Sequence, residues 1–265
     1  MRNKRHMGVV FEKTVNDKFL EKEVKVYARL LKAAADIKDE KLKRDIKNNY
    51  DKLKRGQKGE EQVGEKLKYC DQDMYVMHDV YLQFEVNGYQ VKSQIDYIVI
   101  TKKNFYIIEC KNWCGDLFID EKQDFYLTCQ SKEVKKIPSV YEQMRKQAET
   151  VRKLVMKFNP SSIKRAVIQS IFDNNCQLVL VLVNNEQILQ KSEENGDNRE
   201  RVLYIEKLND FIKHNEKETK NGILSKVKKK MLFAWVDLLK SECKERELNM
   251  AYYKNKLPDV DVELL

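Results

Sequence analysis

Residues 93–116 read SQIDYIVITKKNFYIIECKNWCGD. Two strand-length apolar runs lie here with only a few polar residues between them, a spacing that suits an antiparallel hairpin. Each run carries an acid, Asp96 in the first and Glu109 in the second, with Lys111 two places further on. A buried carboxylate without a partner costs several kcal/mol or takes up a proton. These acids therefore need a partner.

Register decides whether they meet. A tight turn about Lys102 and Lys103 places Asp96 directly across from Glu109, on the same face as Lys111, because side chains alternate along a strand. A three-residue loop with Asn104 in the left-handed region instead puts Asp96 across from Cys110. In the first register two carboxylates repel at close range and should hold a cation or share a proton. Hard oxygen ligands suit Mg²⁺, with Mn²⁺ as the alternative. A lysine beside such an ion could orient or deprotonate water and counter charge on a phosphorane-like transition state. The bland alternative is a structural salt bridge between one acid and Lys111.

The flanking segments supply helices. Between Phe11 and Arg55 there is neither Gly nor Pro, and apolar residues recur at steps of three and four, which predicts one long helix or a helical hairpin broken near residues 36–40. The segment GQKGEEQVGEKL restarts a helix after two glycines. Residues 75–129 read as an antiparallel meander, with Asn87-Gly88 the strongest turn mark. A helix is predicted over 140–158, then a buried strand at QLVLVLVNN, another at RVLYI, and helix again over 222–253. KSEENGDNRE, residues 191–200, reads as an exposed loop. The expected class is α/β, a mixed central sheet flanked by helices, with helical extensions at both ends. The expected division is a basic helical arm at 1–55, a central domain at 56–215 and a C-terminal extension at 216–265.

Charge is uneven. Through Arg55 there are 17 basic residues against 9 acidic; beyond it, 34 against 33. Such an arm suits a phosphate backbone, and equally a solvated helix face, and it could pair as a coiled coil into a homo-oligomer. No run nears the roughly 20 apolar residues of a membrane span, and the basic start lacks the apolar core of a signal peptide. Six cysteines lack any framework spacing, so reduced thiols in a cytoplasmic protein are expected. Cys110, Cys114 and Cys129 make a poor zinc set. His6, His78 and His214 occupy no triad or ligand motif, which argues against histidine-led catalysis.

Four pieces of the chain, GQKGEEQV, VMHDVYL, QIDYIVITKKNFYIIECKNWCGDL and YEQMRKQAETVRKL, resemble the nuclease-related domain (NERD) family, a branch of the PD-(D/E)XK nuclease-like superfamily. The resemblance runs from residue 56 to about 155, with a weaker tail to about 211. It implies a restriction-endonuclease-like core and a metal-dependent nuclease acting on nucleic acid, DNA first, or a silent nuclease-fold module that binds nucleic acid or a protein partner. By the same resemblance Glu60 is similar to the family's helical glutamate, with Glu61 competing for the position. Asp96 and Glu109 are similar to its metal-binding acids, Lys111 to its catalytic lysine and Gln143 to a glutamine facing the site. Two departures are Asn104, where the family usually has Gly, and Ser139-Val140 in place of Asn-Pro. Asp79 stands across from Asp96 if the Asn87-Gly88 hairpin carries no bulge, as a further acid or a strand-end residue.

Overall fold

The computed structural model describes residues 8–35, 37–128, 133–192, 199–220 and 225–257. The elements in chain order are β1 (Val9–Glu12), α1 (Phe19–Ala33), α2 (Glu40–Lys68), β2 (Met74–Val86), β3 (Tyr89–Thr101), β4 (Phe105–Lys111), β5 (Leu117–Ile119), β6 (Phe125–Thr128) and β7 (Val134–Ile137). There follow α3 (Val140–Lys157), α4 (Ser162–Asn174), β8 (Cys176–Leu182), β9 (Leu189–Lys191), β10 (Glu200–Tyr204), α5 (Leu208–Glu218), α6 (Ser225–Glu242) and α7 (Ala251–Lys256). The main sheet has the order β1-β2-β3-β4-β8-β10, and a small second sheet the order β7-β6-β5-β9. The central hairpins are antiparallel, while β1, β8 and β10 join in parallel. This is the mixed α/β sandwich expected from the sequence. The meander ends at β4, however, because β5 and β6 leave to build the second sheet.

Alternation along β3 and β4 divides the core into two layers. Ile98, Ile100, Phe105 and Ile107 pack under α3, α4 and α6 with Met144, Leu154, Ile168 and Trp235. On the other face Tyr97, Val99, Tyr106 and Ile108 meet Val63 and Leu67 of α2 and Leu208 and Ile212 of α5. A third cluster joins α1, the first half of α2 and the C-terminal segment through Leu30, Leu42, Ile46, Met250 and Tyr253. The apolar stripe that could have made a coiled-coil seam is thus covered within the chain.

The N-terminal reading needs correction. Phe11 lies in β1, where backbone pairing to β2 replaces the predicted helix, and helix begins only at Phe19. Nor does the helix restart at the glycines. α2 runs unbroken through the 55/56 boundary, opened by Asp39, whose carboxylate accepts from the Lys41 and Leu42 amides. Each interior glycine costs a helix about 1 kcal/mol relative to alanine, and close packing explains two of them. A Cβ at Gly64 would lie 2.7 Å from the Tyr97 hydroxyl oxygen, and one at Gly59 would lie 3.1 Å from Asn112 Cβ. α4 and β7 were not foreseen. Residues 193–198 of the expected loop lie outside the described residues, as do Cys129 and His6. No described helix is long and apolar enough to cross a membrane.

Candidate active site

The β3–β4 ladder pairs Tyr97 with Ile108 and Ile100 with Phe105, the register of the tight turn. Continued by one residue, it sets Asp96 against Glu109. Pairing stops there, and Asp96 Oδ2 accepts the Cys110 amide hydrogen at 2.8 Å. Asp96 is 8% exposed and Glu109 2%. Lys111 donates to one Glu109 oxygen. The other accepts from Gln147 Nε2 at 2.9 Å, and Gln147 also bonds the Gln94 carbonyl at 2.9 Å. One α3 side chain therefore clamps both strands where their ladder opens.

Electrostatics separates the acids. Burial lifts the Asp96 carboxyl well above the usual carboxylate range, and the Glu109 and Glu60 charges push it the same way against Lys111 and the Cys110 amide. Burial disfavours the Lys111 ammonium, but the Glu109 and Asp96 charges outweigh it and the lysine is held more firmly protonated than in water. Five carboxylates are buried among the described residues, Asp73, Asp79, Asp96, Glu109 and Glu200. Four of them contact a Lys or Arg. Asp96 is the exception.

Glu60 reaches the same cleft from α2, in the opposite layer. Its Oε2 lies 2.7 Å from His78 Nε2, and its backbone carbonyl accepts from the Tyr97 hydroxyl at 2.9 Å. Burial lowers the His78 pKa, but the bond to Glu60 and its charge more than reverse this, so the ring holds a proton more firmly than a free imidazole. Glu61, a single helix step away, is exposed and bonds Gln57. The helix phase selects Glu60.

Two site residues escaped the sequence reading. Gln147 is buried beside Glu109, whereas Gln143, one turn earlier, is exposed on the cleft wall. His78 pairs with Tyr97 on β3, next to Asp96, so alternation and the Asn87-Gly88 register held the signal. Asp79 is withdrawn from the site. That ladder keeps one register on both sides of it, but Asp79 has φ 45° and pairs with Arg246 Nη1 at 2.8 Å.

Glu60, Asp96, Glu109, Lys111, Gln143 and Gln147 line a cleft of about 1150 Å³ whose walls carry Lys52, Arg55, Lys92 and Lys146. Among the described residues no three His, Cys, Asp or Glu side chains are grouped to hold a metal ion, so a closed protein cage is excluded there. The donors present are two hard carboxylates, one lacking a basic partner among the described residues, and the buried Gln147 Oε1, which accepts no hydrogen bond from them. That set fits a cation taking one or two carboxylates and filling its sphere with water and phosphate oxygens.

Residues 55–173 match the family model of the nuclease-related domain, NERD. The chain carries a nuclease-related domain. No curated protein and no solved structure matches the chain. The NERD match, consistent with the PD-(D/E)XK-like superfamily, opens inside α2 and closes inside α4, and it takes in Glu60, His78, Asp96, Glu109, Lys111 and Gln147.

Proposed function

We propose that this NERD domain is a divalent-metal-dependent nuclease acting on nucleic acid, with DNA as its first substrate, in the reducing cytoplasm to which its free described cysteines are suited. The carrying observation is Asp96, a buried carboxylate with no basic partner among the described residues, opening beside Glu109 onto a cleft walled by lysine and arginine. Asp96 and Glu109 would hold Mg²⁺ or Mn²⁺, which when bound polarises a phosphoryl oxygen and acidifies water. Lys111, kept protonated by its neighbours, donates to the attacking water or a phosphate oxygen and offsets charge gathering there. Gln147 fixes the Glu109 rotamer. Glu60, steadied by His78, faces the cleft where it can accept from water. Gln143 stands on the wall where it can touch substrate.

One observation favours a second reading. Lys111 already neutralises Glu109, as in a silent module that binds nucleic acid or a protein partner without turnover.

Calorimetric titration with Mg²⁺ and Mn²⁺, alongside cleavage of duplex and single-stranded DNA, separates the two. The nuclease reading expects saturable metal binding and cutting, both largely lost in Asp96→Asn and Glu109→Gln. A wild-type protein that binds DNA but neither takes up metal nor cuts would be the silent module.

A further inference from the structure

We propose that the exposed face of α2 is a track along which a nucleic-acid backbone leaves the cleft; this rests on the nucleic-acid reading of the cleft itself. At 100° per residue, Lys41, Arg44, Asn48, Lys52 and Arg55 fall within a sector of about 80° and span about 21 Å of helix axis. All five are exposed. The opposite side of the helix is occupied, with Leu42 and Ile46 buried and Asn49 donating to the Tyr253 hydroxyl at 2.8 Å. Packing therefore fixes which face meets solvent.

The charges on that face are uncommitted. Lys43, off the sector, pairs with Glu40. Lys41, Arg44, Lys52 and Arg55 have no carboxylate within ion-pair distance among the described residues, and the half-buried Asp51 borders the sector without closing on any of them. The face also leads somewhere. Lys52 and Arg55 stand in the cleft wall along with Lys92 and Lys146, and the Arg55 carbonyl accepts from Asn112, the residue after Lys111, at 3.1 Å. A row of free cations on a rigid helix, continuous with a basic cleft, matches a polyanion with evenly spaced charges. One strand rises about 3.4 Å per nucleotide, so the row spans roughly six phosphates. Lys41, Arg44 and Lys52 precede the NERD match, so the track is an addition this chain makes to the domain.

The test compares two DNA duplexes without divalent cation, so that nothing is cut: one of about 8 base pairs, enough for the cleft, and one of about 24 base pairs, enough for cleft and track. Wild-type protein is expected to bind the longer at least tenfold more tightly. The variant K41E/R44E should bring that ratio toward one and lower the slope of log K against log salt by about 2, since each phosphate contact contributes about 0.9. The same charge change on the helix flank, K47E/K54E, should cost less than half as much in log affinity. Circular dichroism confirms that these surface variants fold. Equal losses in both variants, or no gain from the longer duplex, would overturn the track while leaving the cleft reading standing. Failure of both duplexes to bind the wild type would overturn both readings.

Discussion

Asp79 and Asp96 stand at opposed positions of β2 and β3, both buried, both with carboxyls raised by burial. Their surroundings differ in one respect. Asp79 receives the Arg246 guanidinium, which also lies over the Phe19 ring at 4.1 Å, whereas among the described residues Asp96 receives only an amide hydrogen. Burial of an acid therefore does not mark a functional site. What marks it is burial without internal compensation at the mouth of a cleft, where a ligand can supply the missing charge. The compensated acid ties the C-terminal segment to the sheet, while the uncompensated one is the acid proposed above to take a cation.

The sharpest way to break this contrast is to remove the arginine. Arg246→Ala leaves Asp79 buried and alone, and should destabilise the fold by about 3 kcal/mol, read as a lower denaturant midpoint at unchanged slope. Asp96→Asn should leave the metal-free fold as stable or more so. If both cost the same, the two acids are equivalent and the site reading weakens.

A smaller effect is expected at the clamp. Gln147→Ala removes two hydrogen bonds, one to a carboxylate, and should destabilise by about 2 kcal/mol. It should also weaken Mn²⁺ affinity roughly tenfold, because an outer partner orients Glu109. Gln143→Ala should lower both by less, as calorimetry and thermal unfolding would show.

The smallest effect concerns pH. The folded Asp96 carboxyl lies above its ordinary 3.8, so the native state holds its proton longer than the unfolded chain. The stability this contributes is complete below 3.8 and is lost as pH rises through the folded value. Metal-free wild-type protein should therefore lose stability relative to Asp96→Asn as pH climbs from about 4, a trend that saturating Mg²⁺ should reverse. Parallel pH curves for the two proteins would show that Asp96 carries no such strain.

Much of this was legible in the chain because it is local. Two apolar runs and a short turn narrow the β3–β4 register to two choices, and the tight-turn choice, the one the structure takes, puts Asp96, Glu109 and Lys111 on one face. The Asn87-Gly88 turn similarly set β2 against β3. Sequence periodicity failed where the partner lies far along the chain. β1 has strand pairing only because β2 offers it an edge, and no pattern in VVFE announces that. Gln143 and Gln147 share one helix face, so periodicity cannot rank them; the depth at which α3 crosses β3 chose the second. His78 became a partner of Glu60 only when α2 docked across the sheet through Gly59 and Gly64.

The sequence by itself determined the α/β layering, the hairpin that carries the two acids and the lysine, and the excess of positive charge through Arg55. The tertiary structure alone decided which buried acid is neutralised, which glutamine holds Glu109, and which face of α2 stays bare. The reason is physical. Backbone alternation and helical pitch act over a few residues and can be read from spacing, whereas compensation of a buried charge depends on which distant side chain the fold delivers to within about 3 Å.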